Sequence, residues 1–280
     1  VSTAAQPLRG TVTARDGTSL AWRLWGQEGG QEGLPLVAAV HSLALHGGIW
    51  DGVAAALAGR ARLLAMDCRG HGDSARVPGP YTTARMADDL ADVMEALELP
   101  AAVLAGCSMG GCVAQEMAAR HPARVRGLVL IDTTAWYGPG APEAWRQRAE
   151  TALRGGMQAL LGFQAERWFT PAFNAAHPDR LAHWLSVFGA NDTGCYAAAC
   201  AMLGEADLRP LLPRIVVPTL VLVGEEDTAT PPDMARALAE GIPGAALRIL
   251  SGARHLSPIE RPEEVAEAIA GLLAATTSAR

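Results

Sequence analysis

The sequence predicts an α/β protein: a mostly parallel central sheet with helices on both faces and a helical cap insertion. Three observations predict it. Short apolar runs such as LVAAVH (36–41) and RLLAMD (62–67) have the composition of strands buried on both faces. These runs alternate with helical stretches, and that alternation produces parallel sheets covered by helices. Between about residues 136 and 206 the alternation stops, and the chain becomes helical in composition and rich in Trp, with no strong strand candidate.

Residues 8–25 alternate around the turn signal Asp16-Gly17 and predict a β-hairpin. LVAAVH follows as a strand, then a helical stretch around 49–59, the strand RLLAMD and the loop CRGHGDSARVPGP (68–80). A longer helical pattern covers 82–98, with Thr residues placed to cap its first turn. The strand AAVLAG (101–106) leads through Ser108 into a helix that ends near His121-Pro122, and RGLVLIDTT (126–134) is the next strand. After the insertion, VPTLVLVGEED (217–227) restores the strand pattern. A helix from Pro231, the strand AALRIL (245–250) and a last helix from Pro262 to the early 270s complete it. The expected organisation is a core of residues 1–135 and 207–280 with a helical cap subdomain of 136–206.

Composition removes several function classes. The formal charge is −6 and no basic block tracks phosphates, which argues against nucleic acid as a partner. Every basic side chain other than His is Arg; without Lys there is no Schiff base, pyridoxal lysine or P-loop lysine. The five cysteines are odd in number and contain no CxxC, which fits a reducing, cytoplasmic setting. The first residues, VSTAAQPLRG, lack a charged region followed by an apolar one, and no apolar run is long enough to span a membrane. The expected partner is a small molecule, with no membrane and no nucleic acid, and the sequence leaves open a monomer or a homodimer. No HxH or HExxH spacing points to a metal site.

The stretch AGCSMGG (105–111) carries the chemistry. A GxSxG between a strand and a helix can hold its serine on a strained corner above the strand ends, at a helix N-terminus suited to developing negative charge. The bland reading is a Gly-rich turn, with a capping Asp and a surface His elsewhere. A serine is a weak nucleophile without a base and an orienting acid. Both stand where they are needed: Asp227 closes VLVGEED, and His255 lies a few residues past AALRIL. Each follows a strand, at the edge where open α/β sheets place their sites. Glu226 is the alternative acid, and the spacing in GEEDTATPP favours Asp227. The oxyanion hole needs two backbone N–H groups, expected from Met109 and from Leu43 in the loop after LVAAVH, with Ser42 as the fallback. His41 is read as bonding locally and shaping that loop. Cys107 should point into packing, and Asp67, Arg69, His71 and Asp73 form a structural polar loop.

HSLALHGGIWD, MDCRGHGDS, GCSMGG, VGEEDTATPP and ARHLSPIERPEE together resemble the α/β-hydrolase superfamily across nearly the whole chain. Within the insertion, ERWFTPAF (166–173) and GCYAAACAMLGEADLR (194–209) are similar to the cap of 3-oxoadipate enol-lactonases. The resemblance implies the α/β-hydrolase fold, a Ser108-Asp227-His255 triad, oxyanion donors at Leu43 and Met109, and no cofactor. It implies opening of a small enol-lactone through an acyl-enzyme, in the catabolism of aromatic compounds. A carboxylate on such a lactone calls for a cation, for which Arg167 is the first candidate and Arg146 the second. Trp136 and Trp168 are candidate apolar walls. Those lactonases usually read Asn-Ser-Leu-Gly where this chain has His41-Ser42-Leu43-Ala44, so the departure falls in the oxyanion loop. Other readings keep the fold and change the reaction: a carboxylesterase, a cofactor-free peroxidase-like hydrolase, or a carbon–carbon bond hydrolase. A ligand receptor built on a hydrolase fold would bind without turnover.

Overall fold

Among the described residues, eight strands form one sheet in the order β1-β2-β4-β3-β5-β6-β7-β8. The computed structural model describes residues 6–27 and 33–278; the first five residues, read above for a targeting segment, lie outside these. The hairpin β1 (Leu8–Thr13) and β2 (Ser19–Trp25) is antiparallel, and β2 pairs antiparallel with β4 (Arg62–Met66). From β4 onward every pairing is parallel, through β3 (Leu36–Val40), β5 (Ala102–Cys107), β6 (Val125–Ile131), β7 (Thr219–Gly224) and β8 (Ala246–Leu250). The mostly parallel sheet expected from the apolar runs is present. All residues of β3, β4 and β5 are buried, which is why those runs do not alternate. Each Val or Leu so placed contributes about 1.5–3 kcal/mol by leaving water.

Helices cover both faces. α1 (Asp51–Ala56), α2 (Thr83–Ala96) and α3 (Met109–Arg120) follow the first strands, and Thr82 caps α2 by accepting the Arg85 N–H at 3.0 Å. After β6 come five helices in succession: α4 (Ala141–Gly155), α5 (Leu161–Trp168), α6 (Pro171–Ala176), α7 (Pro178–Gly189) and α8 (Thr193–Glu205). α4 packs along α8, while α5 and α6 lean on α7. Where the chain leaves and rejoins the sheet, Trp136 bridges to Asp207, and Leu208 N–H donates to the Ala135 carbonyl at 2.8 Å. α9 (Pro232–Gly241), the short α10 (Ser257–Glu260) and α11 (Pro262–Ser278) complete the order.

Boundaries differ from the sequence reading at several places, among them the strand read as 126–134, which ends at Ile131. The helical stretch at 49–59 is a 3-10 turn, Gly47–Trp50, leading into the short α1. The run 217–227 leaves the sheet after Gly224, whose N–H donates to a buried side chain, Asp132, at 3.0 Å. α11 continues to Ser278 because Leu272 and Thr276 still lie against Gly127 of β6.

Candidate active site

Ser108 sits between β5 and α3 with φ 54° and ψ −116°, a conformation that costs an L-residue strain. Its neighbours make the corner feasible. A Cβ on Gly106 would run into the Gly110 carbonyl, and a Cβ on Gly110 would meet the Val40 carbonyl. The small residues let α3 close against β3 and β5, and the dipole of this twelve-residue helix points at Ser108.

The turn brings Ser108 Oγ to 2.9 Å from His255 Nε2, and His255 Nδ1 lies 2.8 Å from Asp227 Oδ2. A carboxylate can only accept, so Nδ1 carries the proton and Nε2 is free to accept from the serine hydroxyl. Asp227 Oδ1 accepts the N–H groups of Ala229 and Thr230 at 2.7 and 3.0 Å, and Oδ2 accepts the Thr230 hydroxyl at 2.9 Å. Burial pushes the Asp227 carboxyl up, but the facing His255 and these amides outweigh it and hold the group below its ordinary value. Glu226 instead points outward, with an oxygen 3.6 Å from Arg254 Nε. The Cys107 thiol is buried, and burial together with the charges of Asp132 and Asp227 pushes its pKa far up, which leaves it inert.

Two supports escaped the sequence reading. Asp132, fully buried at the end of β6, accepts the Gly224 N–H and the Ser257 hydroxyl on Oδ1, at 3.0 and 3.1 Å. Its Oδ2 accepts the Ser257 N–H at 2.9 Å. One carboxylate thus joins the segments that carry Asp227 and His255. Glu260 fastens the start of α6 to the same segment: Oε1 accepts the N–H and hydroxyl of Thr170 at 2.8 and 2.5 Å, and Oε2 accepts the Arg254 N–H at 2.8 Å. A signal for Asp132 was its place at a strand end, the edge that also supplied Asp227.

Leu43 and Met109 both flank the serine. Among the described residues neither main-chain N–H donates a hydrogen bond, since Met109 opens α3 and has no preceding turn to bond to. Two unused donors at a serine corner are the equipment for an oxyanion.

Ser42, Leu43, Ser108 and His255 open into a cavity of about 450 Å³ roofed by α4 and α5. Of the proposed walls, Arg167 and Trp168 line it. Trp136 does not: it stays where the chain leaves the sheet, its ring 3.7 Å from the Arg209 guanidinium, and Tyr137 lines the cavity instead. Arg146 also turns away, paired on the exposed face of α4 with Glu143 and Glu150. Arg148 is the second cavity arginine, its Nε 2.6 Å from the Tyr196 hydroxyl. Its signal was spacing, for Arg148 falls one turn after Ala144 and Trp145 on the same helix face. Neither Arg148 nor Arg167 has an ion-pair partner among the described residues, and no carboxylate lines the cavity. Burial, then the charge of Arg148, lowers the pKa of Arg167.

Comparison with known proteins agrees with this architecture. Residues 35–262 match the family model described as alpha/beta hydrolase fold. A 3-oxoadipate enol-lactonase from Acinetobacter baylyi is 31% identical over 266 residues, covering 94% of this chain and 96% of that protein. The enol-lactonase from Burkholderia xenovorans superposes with a TM-score of 0.89 at 36% identity, over 95% of this chain and all (100%) of that one. A thermophilic esterase from Thermogutta terrifontis superposes with a TM-score of 0.86 at 33% identity, over 97% of this chain and 99% of that one. No helix among the described residues is long and apolar enough to cross a membrane. With the sheet order, the serine corner and these matches together, the chain belongs to the α/β-hydrolase family.

Proposed function

We propose that this α/β hydrolase opens a small lactone bearing a carboxylate, an enol-lactone of the 3-oxoadipate type, through Ser108, His255 and Asp227. It is a carboxylic-ester hydrolase. The observation that carries the reading is the pair of contacts at 2.9 and 2.8 Å linking Asp227 to the His255 and Ser108 that line the cavity. His255 takes the Ser108 proton as Oγ attacks the lactone carbonyl, and the tetrahedral oxyanion sits between the Leu43 and Met109 N–H groups. The ring C–O bond breaks as His255 returns its proton to the leaving enolate oxygen, and the enol tautomerises to a ketone. Water, deprotonated by His255, attacks the acyl-enzyme, and the acid departs as Ser108 regains its proton.

Arg167 and Arg148 support a carboxylate on the substrate, because two guanidiniums facing one cavity without a protein acid are matched by an anion from outside. The similarity to enol-lactonases over nearly the whole length of both chains supports the same class.

The test is hydrolysis of 3-oxoadipate enol-lactone, followed by its ultraviolet absorbance, for wild type and Ser108→Ala, beside p-nitrophenyl acetate. Rapid lactone loss that vanishes in the variant supports both substrate and nucleophile. Rapid ester cleavage with an inert lactone keeps the triad and removes the substrate. Inactivity on both sinks the hydrolase reading and favours a receptor.

A further inference from the structure

Gln164 is 3% exposed and lines the cavity from α5, one helical turn from both Arg167 and Trp168. Its amide nitrogen has no hydrogen-bond partner among the described residues. A buried N–H left unpaired is destabilising, and a leucine or methionine would fill the same space without that cost. Leu160, Phe163 and Trp168 line the same cavity, a setting in which an apolar side chain would pack well. The arrangement becomes favourable once something in the cavity accepts the hydrogen bond. The arginines on the same wall are suited to an anion, whereas a primary amide is suited to a neutral oxygen.

We infer that Gln164 is a specificity-determining residue that donates from Nε2 to a second, uncharged oxygen of the substrate, a ketone or ring oxygen apart from the ester group under attack. This rests on the hydrolase reading above and deepens it. A site with a buried donor rejects an analogue that lacks the acceptor, because binding the analogue leaves the donor unpaired in a dry environment. The preferred acyl group therefore carries an oxo group along its chain, and the plain alkanoyl ester of equal length is a poor substrate.

The experiment uses the full chain and four p-nitrophenyl esters: hexanoate and its 3-oxo, 4-oxo and 5-oxo derivatives. Wild type should cleave one oxo ester at least about 10-fold more efficiently, in kcat/KM, than hexanoate, which offers the buried donor no acceptor. Gln164→Leu should reduce that ratio to about one by losing activity on the oxo ester alone, and its Tm should rise as the unpaired amide is removed. Gln164→Met reads the same ratio if the leucine variant fails to fold. Equal rates on all four esters in wild type, or an unchanged ratio in both variants, would overturn the assignment and leave the hydrolase intact. Failure of wild type to cleave any of the four would overturn this inference, while the enol-lactone and p-nitrophenyl acetate assays above decide the hydrolase reading separately.

Discussion

His41 Nδ1 lies 2.7 Å from the carbonyl oxygen of Ser42, while His41 Nε2 accepts the Cys68 N–H at 2.9 Å. The Cys68 amide fixes the tautomer, so Nδ1 must donate. Burial, then the neighbouring His71, holds the fully buried imidazole well below its ordinary pKa and hence neutral. The Ser42 carbonyl and the Leu43 N–H belong to one planar trans peptide and point in opposite directions. Holding the carbonyl on His41 turns the N–H to the opposite side, and Leu43 lines the cavity.

His41→Leu should therefore lower kcat by about 10- to 100-fold, somewhat less than deletion of an oxyanion donor, with KM nearly unchanged. His41→Asn, whose amide nitrogen can stand where Nδ1 stood, should recover part of the loss. Steady-state kinetics on p-nitrophenyl acetate with both variants checks this, and a rise in KM alone would refute it.

Arg148 and Arg167 should act on binding of the charged end of the substrate. Each change to Met should raise KM for a carboxylate-bearing lactone by about 10- to 100-fold, the worth of one charge-assisted hydrogen bond. Turnover of a neutral ester should be nearly unaffected. Arg167→Met should also raise Tm, because the side chain it removes is partly buried and repelled by Arg148. Kinetics on the two substrates and a thermal melt read both effects.

Ala44 holds φ at 58°, where an L-residue is strained, and its carbonyl accepts the Asn191 amide of the cap at 2.7 Å. Ala44→Gly removes strain of about 1–2 kcal/mol and adds unfolded-state entropy worth about 0.5–1 kcal/mol. The net expectation is a gain of up to about 1 kcal/mol in urea denaturation, with kcat preserved.

Asp16 links the first hairpin to the loop after β4: Oδ1 accepts the Thr18 N–H at 3.1 Å, and Oδ2 accepts from Arg69 at 3.0 Å. Burial raises its pKa, but the Thr18 groups and Arg69 outweigh it and bring the carboxyl down to about 2. A depressed carboxyl stabilises the fold above its unfolded value of about 3.9, and that contribution disappears as the pH falls through about 2. Asp16→Asn should cost about 1 kcal/mol or less at pH 7, as for other partly exposed ion pairs, and the difference from wild type should close by pH 2. Denaturation at the two pH values checks the sign.

The sequence by itself determined the sheet, the serine corner and the residues at the strand ends. Strands buried on both faces need unbroken apolar runs, and a corner as tight as that at Ser108 admits only small residues at positions 106 and 110. Asp227 and His255 were legible because the ends of such strands mark the sheet edge, and chain order alone places them there. Tertiary structure decided what the helices between β6 and β7 show to the cavity. Arg146 and Arg148 lie two residues apart on one helix, and only the packing of α4 along α8 turns Arg148 inward and leaves Arg146 paired with its own glutamates. The same packing keeps Trp136 where the chain leaves the sheet, brings Tyr137 to the cavity and buries the Gln164 amide nitrogen without a hydrogen-bond partner among the described residues. Local sequence sets a helix and its period, but its rotation about its own axis depends on side chains far away in the chain.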